Sequence, residues 1–396
     1  MPGGLIWWKW CNKFRLKEKM VFILKHCDKT ILRFSANEAS SNPDYKILWV
    51  TDEKSLLPLG FDLSDEGLSN WVKHRTIPKN RAYMDTLLSK SGLSPNRPLS
   101  VIYYSKGLSL NDVYWVVPED FEGKFADYNL YDNRFNRILS QIVFTGYGSS
   151  VKSSLLSSPE FTTNGMLPKC WRRINGKIEL YKGSTSGFSN TGFEAYSEYY
   201  AWQIAKVLKI DAVEYNLHFW KNTLCSTCEL FTSKKYSFVP VGRLVTKGGF
   251  EAVCEYYKNL GPEFEKALYD MVVFDAVIKN TDRHYGNFGF LVDNKTNKIK
   301  KCAPLFDHGN SLYNLAGLEC FEKQSELIKE YDANLEPCVY DGFIDTAKKV
   351  LTQEHKKNLK KLLNFKFKKH PKYNLGAIRL RKIEDQVQRN VMELLG

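Results

Sequence analysis

Asp282, Asn287 and Asp307 are the residues whose types and spacing could do chemistry. The first two stand five positions apart in NTDRHYGNFGF, residues 280–290, and the third lies in LFDHGNS, residues 305–311. Between them runs LVDNKTNKIKKCAPL, two β-prone segments about the turn sequence DNKTNK, a hairpin that would deliver Asn287 and Asp307 to the same end. Two carboxylates and an amide meeting at one point suit phosphoryl transfer from a nucleoside triphosphate. Mg²⁺ takes hard oxygen ligands from one or two protein groups and from the phosphates, which fits Asn287 and Asp307. A separate carboxylate must align the attacking hydroxyl, which fits Asp282. Each residue alone reads as a turn former; the spacing and the hairpin together point to a site.

The remaining parts of a nucleotide site would lie upstream. RRINGKIELYKGS, residues 172–184, reads as two strands about an Asn-Gly turn, with Lys182 near the end of the second, where an ammonium could reach phosphates. EAYSEYYAWQIAKVLKI, residues 194–210, has helical periodicity, and Glu198 in its first turns is the candidate partner that fixes Lys182. The alternative for both is an ordinary solvated charge. FTTNGMLPK, residues 161–169, offers Thr162, Thr163 and Gly165 in a loop whose backbone amides could cradle phosphate, although no G-x-x-x-x-G-K-[ST] or G-x-G-x-x-G stands there.

Taken in order, WRRINGKIELYKG, YSEYYAWQIA, NTDRHYGNFGF and APLFDHGNSL resemble the HipA-like serine/threonine kinases, bacterial relatives of the protein-kinase fold known as toxins of toxin–antitoxin pairs, over residues 140–390. The resemblance implies an α+β, bilobal protein-kinase-like fold, with a β-rich N-lobe over 140–245 and a helical C-lobe over 246–396. It implies ATP and Mg²⁺ as cofactors, a protein substrate, and an antitoxin-like partner protein. By it Asp282 is the catalytic base, Asn287 and Asp307 hold Mg²⁺, Lys182 contacts the nucleotide phosphates and Glu198 braces Lys182. His284 occupies the family's histidine position two residues after the catalytic aspartate. Ordinary protein kinases place that histidine before the aspartate, and the order seen here is shared with phosphoinositide kinases, so a lipid acceptor stays an alternative. A nucleotide-binding pseudokinase scaffold is the other. PVGRLV, residues 240–245, is similar to the family's hinge, where backbone groups at Val241 and Arg243 would read the adenine edge. Thr162, with Thr163 beside it, stands where the family can carry an inhibitory autophosphorylation.

Elements outside the resemblance frame it. Residues 20–139 read as an additional α+β module: strand-like FILKH, TILRFS and YKILWV, helical NWVKH and NRAYMDTLLSKSGL, then VIYYSKGLSLNDVYWVVPE as aromatic strand. This module does not match the short N-terminal subdomain of the best-known HipA toxins. Residues 1–19 are basic and patternless; they are expected to pack poorly or to lie upstream of a start at Met20. After the catalytic hairpin, GFIDTAKKVLTQEHKKNLKKLLNF reads as helix. Residues 356–382 hold eleven Lys or Arg and no Asp or Glu, within a formal net charge of +13, a face that could attract nucleic acid or remain a solvated surface. Nine cysteines without regular spacing suit a reducing cytoplasm, and Cys225-x-x-Cys228 lacks the second ligand pair that zinc requires. No run of eighteen apolar residues predicts a membrane span, and 396 residues suffice for two to three domains.

Overall fold

Alternation decides the first sheet. In β1 (Met20–His26) Phe22, Leu24 and His26 are buried at every second position, as a strand with one face on a core requires. The computed structural model describes residues 20–37, 43–152, 157–187, 190–322 and 326–396; residues 1–19 lie outside them. The chain divides into two units, one reaching to Met166 and taking in Lys295–Asn297, the other comprising Leu167–Asn294 and Lys298–Gly396.

The first unit is an antiparallel sheet in the order β3-β2-β1-β4, with β2 (Lys29–Asn37), β3 (Asp44–Val50) and β4 (Tyr114–Pro118). Its inner face meets Leu68, Trp71 and Val72 of the Asp65–Lys73 helix, which begins where the Ser64 hydroxyl accepts the N–H of Gly67. NRAYMDTLLSKSGL carries the Met84–Lys90 helix. VIYYS departs from expectation: it belongs to the Pro98–Ser105 helix, and only the later YWVVP is strand. Pro98 sets the helical φ in the first turn, and Leu99, Val101 and Ile102 find buried partners on that helix, so packing overrides the β preference of the aromatic run.

The second unit opens with β5 (Lys169–Ile174) and β6 (Lys177–Gly183), joined at Asn175 and Gly176 with φ of 50° and 82°. Positive φ at both turn positions is what makes Asn-Gly the favoured hairpin pair. After the Glu194–Leu208 helix, β7 (Tyr215–Trp220) and β8 (Thr223–Glu229) complete a four-stranded antiparallel sheet in the order β5-β6-β8-β7. A three-stranded sheet of β11-β10-β9 follows, with β9 (Tyr236–Pro240), β10 (Gly289–Asp293) and β11 (Lys298–Cys302); the hairpin expected after Asn287 is β10–β11. Gly289 is obligatory there, because a Cβ would stand 2.2 Å from the Val239 carbonyl oxygen.

The rest of this unit is helical. The Pro262–Ile278 helix is buried along its whole C-terminal half, Met271 to Ile278, and packs against the Gly249–Leu260, Phe343–Val350 and Ala377–Leu395 helices. The stretch read as one helical region breaks after Val350: Thr352 accepts the N–H of His355 and starts the separate Gln353–Leu359 helix. Antiparallel sheets with an associated helical body form an α+β architecture, as the resemblance implied.

Candidate active site

Lys182 stands at the penultimate position of β6, opposite Lys169 on β5 and Ser226 on β8. Strand pairing on both sides fixes its backbone, and its side chain is only 8% exposed. The Nζ donates to Glu198 Oε1 at 2.7 Å and also bonds Asp307 Oδ1. Glu198 lies on the Glu194–Leu208 helix, one turn in, and is fully buried; its other oxygen accepts the Ser226 hydroxyl. Asp307 has φ of 59°, a left-handed conformation that Asp tolerates better than most side chains, and its N–H donates to the Tyr215 hydroxyl at 3.0 Å. Gly309 lets the turn lie close to the Glu194–Leu208 helix, since a Cβ there would stand 3.2 Å from Glu194 Cβ.

Burial and charge oppose each other throughout this cluster. Burial pushes the Lys182 ammonium toward neutrality, but Asp307 and Glu198 outweigh it and hold its pKa above the usual value. Burial pushes Asp307 up, yet Lys182, Lys169 and Arg283 together hold its carboxyl below the ordinary carboxylate range. Glu198 is raised, by burial first and by the charge of Asp307 as well. Burial keeps the Tyr215 phenol well above its normal pKa, so it stays neutral. Lys182 bonds both carboxylates and the buried Lys169 adds a second positive charge near Asp307, so Asp307 stays ionised and available to a further cation. The Asp307 side chain, 33% exposed, is the member that can reach such a cation.

The 280–290 loop is built on a second buried ion group. Arg283, fully buried, grips Asp275 through Nε at 2.9 Å and Nη2 at 3.1 Å. Its Nη1 donates to the carbonyls of Asn287 at 3.2 Å and Phe306 at 2.6 Å, and Nη2 meets His308 Nδ1 at 3.0 Å. One guanidinium therefore holds the backbone at Asn287 and the backbone just before Asp307. Asn287 Nδ2 donates to the Asp282 carbonyl at 3.0 Å, so its Oδ1 is the atom that can ligate a metal. Asn310 Nδ2 donates to Asp282 Oδ2 at 3.1 Å, fixing one carboxylate oxygen and leaving the other to meet a hydroxyl. An anionic oxygen from Asp307 and a neutral oxygen from Asn287 form a donor set that fits Mg²⁺. Arg283, Asp275, Asn310, Ser226 and Tyr215 were not singled out in the sequence, although a carboxylate inside the apolar run MVVFDAVI signals that a partner must be buried with it.

Other expected residues have simpler surroundings. His284 is exposed, with Nδ1 accepting the N–H of Gly286 at 3.0 Å. Val241 is fully buried at the start of a short helix, Val241–Leu244, that also contains Arg243, and its N–H donates to the Phe288 carbonyl at 3.0 Å. Thr162, Thr163 and Gly165 belong to the first unit. The buried Thr162 hydroxyl donates to the Leu108 carbonyl at 2.7 Å, and that of Thr163 to the Pro159 carbonyl at 2.7 Å.

No family model matches the chain. The serine/threonine-protein kinase CtkA of Helicobacter pylori is 30% identical over 154 residues, which cover 35% of this chain and 47% of that protein. The matched stretch thus spans about half the length of that curated relative. Among solved structures, the Helicobacter pylori proinflammatory kinase CtkA matches with a TM-score of 0.45 at 21% identity, covering 57% of this chain and 91% of that one. HipA of Shewanella oneidensis, solved with HipB and operator DNA, matches with a TM-score of 0.53 at 13% identity, covering 94% of this chain and 99% of that one. At that identity the likeness is one of fold. Among the described residues no helix is long and apolar enough to cross a membrane.

Proposed function

We propose that this chain is an ATP- and Mg²⁺-dependent kinase of the HipA-like serine/threonine type that transfers the γ-phosphoryl group to Ser or Thr hydroxyls of a protein, a reading supported by its 30% identity to CtkA over 154 residues and by its likeness in fold to HipA. The observation that carries this reading is Lys182 held between Glu198 and Asp307, in the unit where Arg283 ties the Asp282–Asn287 loop to the backbone beside Asp307. Lys182 orients the nucleotide phosphates, and Glu198 keeps its ammonium in place. Asn287 and Asp307 would hold Mg²⁺, which supplies charge neutralisation for the phosphates when bound. Asp282 aligns the acceptor hydroxyl and takes its proton. Positioning and charge stabilisation account for most of the rate in such a site.

The test is transfer of radiolabel from γ-labelled ATP to protein acceptors and, in parallel, to phosphoinositide vesicles. Label in protein that is lost with Asp282→Ala, by on the order of 10²-fold or more, supports the reading; label in lipid alone overturns the acceptor class. A thermal shift with MgATP and no transfer to any acceptor would instead fit a scaffold. HipA is seen with HipB and operator DNA, and the proposal extends to a toxin-like role under a protein partner, checked by growth arrest on expression of wild type but not of Asp282→Ala. Self-modification belongs to the same reading. For Thr162 it requires the hydroxyl first to leave the Leu108 carbonyl, and phosphopeptide mapping of residues 161–169 after incubation with MgATP checks it.

A further inference from the structure

Three rings from two distant segments form a ladder on the second unit, and none of them has been given a role above. Phe219, near the end of β7, is 50% exposed and stacks on Tyr373 at 6.2 Å with 26° between the ring planes. Tyr373 stacks in turn on His370 at 5.2 Å and 13°. Tyr373 and His370 are both partly open to solvent. A lone exposed apolar side chain needs no explanation, but a near-parallel stack that ends on a half-exposed ring, Phe219, makes a platform that another flat ring can continue, while the other end, His370, meets Tyr199 edge to face at 5.6 Å.

The platform is held in place before any ligand arrives. Gln203 of the Glu194–Leu208 helix accepts the Lys368 N–H at 2.8 Å and donates to the Lys368 carbonyl at 3.1 Å, pinning the loop. Asn374 closes it, accepting the His370 N–H at 2.8 Å and donating to the His370 carbonyl at 2.6 Å. The imidazole is oriented by its Nδ1, which accepts the N–H groups of Lys372 at 3.2 Å and Tyr373 at 3.0 Å. Preformed geometry means little ordering entropy remains to be lost on binding.

The frame around the rings is cationic. Lys368, Lys369 and Lys372 are exposed in the same loop, and Lys221 is exposed in the turn after β7. Among the described residues none of these four ammonium groups pairs with a carboxylate. Both contributing segments, residues 216–228 and 356–382, lack Asp and Glu altogether.

We propose that this face binds single-stranded nucleic acid, with bases continuing the Phe219–Tyr373–His370 stack and phosphates following the lysines. Stacking platforms inside a positive groove are how single strands are held without sequence preference. A duplex is disfavoured because its bases are already stacked on each other and cannot reach the ring faces; it would use the charge alone. An anionic membrane is disfavoured because interfacial binding uses the apolar face of an amphipathic helix, whereas these rings sit on a hairpin end and a closed loop.

Fluorescence anisotropy of the full chain with labelled oligo(dT) and oligo(U) of about 15 nucleotides, against a duplex of equal length, tests this between about 50 and 200 mM salt. Single strands should bind more tightly than duplex. Phe219→Ala and Tyr373→Ala should each weaken single-strand binding on the order of tenfold while keeping the salt slope, and Phe219→Trp should retain it. Converting Lys368, Lys369 and Lys372 together to Gln should flatten the slope by roughly 0.7 per lysine. Equal binding of duplex and single strand, unmoved by the ring variants, would overturn the proposal. So would no binding at the lower salt, or capture by phosphatidylserine vesicles without capture of oligonucleotide. Melting temperatures matching wild type confirm that the alanine variants fold, and the exposed lysine variants give a second readout if they do not.

Discussion

Two regions bury charge with different degrees of closure. In the first unit Arg75 meets Asp112 fork to fork, Nη1 to Oδ1 at 2.9 Å with a second bond between Nη2 and Oδ2, and both side chains are nearly inaccessible. The guanidinium lies over the Trp71 ring at 4.2 Å, and Asp112 also accepts the Tyr114 N–H at 3.0 Å. One cation answers one anion, and main chain supplies the remaining partner. In the second unit Lys182 answers two carboxylates, Glu198 and Asp307, and Asp307 keeps a third of its side chain open. Charge count does not distinguish them, because the buried Lys169 adds a second cation near Asp307. Closure does: a sealed pair is what packing tolerates, whereas a carboxylate with an open face is placed to meet a further cation.

The comparison can be broken first by removing the open carboxylate. Asp307→Asn, which keeps a side chain that tolerates the left-handed backbone, should lower phosphoryl transfer on the order of 10²–10³-fold and abolish the thermal shift with MgATP. Its melting temperature without nucleotide should fall by less than that of the Asp112 variant, because Lys182 keeps its bond to Glu198. Asp112→Ala should do the reverse, stranding Arg75 and destabilising the fold by about 3–5 kcal/mol, read from urea denaturation. Equal losses of stability in the two variants would end the distinction. Arg283→Met should fall between them. It leaves Asp275 buried without its fork, at about 3–5 kcal/mol, and frees the backbone at Asn287 and Phe306, so stability and turnover should drop together even with Asp282 intact.

What could be read in the sequence follows the same division. Lys182, Glu198, Asp282, Asn287 and Asp307 were legible because each sits in a short polar motif whose spacing implies an element: an Asn-Gly hairpin, an amphipathic helix, a hairpin after a Gly-containing loop. Their supports were not. Ser226 and Tyr215 come from β8 and β7, and nothing in TLCSTCE or YNLHFW tells which strand will lie beside Lys182 until sheet order is known. Asp275 had a signal, a carboxylate in an apolar helix, but not the identity of its partner. VIYYS was ambiguous because a short apolar run fits a buried helix as well as a strand, and Pro98 in its first turn was the one local sign that favoured helix. The Phe219–Tyr373 stack joins residues more than 150 positions apart and has no local signature.

The smallest effect expected sharpens the comparison at its second layer. Around Arg75 and Asp112 the outer partners include the main-chain groups of Gly107 and Tyr114, which no side-chain substitution removes. Around Lys182 they are side chains: the Ser226 hydroxyl on Glu198 and the Tyr215 hydroxyl on the Asp307 N–H. A site whose orientation rests on side chains can be detuned without being dismantled. Ser226→Ala should cost about 1–3 kcal/mol of stability, the usual range for leaving a buried acceptor short of a donor, and should reduce turnover by roughly tenfold or less, since each 1.4 kcal/mol of lost positioning is one decade. Ser226→Thr keeps the hydroxyl and should recover most of both. Tyr215→Phe should act similarly through the Asp307 backbone, and steady-state kinetics should show its effect in kcat more than in the KM for ATP, because Lys182 keeps its bond to Glu198. If Ser226→Ala and Tyr215→Phe leave turnover untouched while lowering stability, those hydroxyls serve packing alone, and the second layer around Lys182 is no different in kind from that around Arg75.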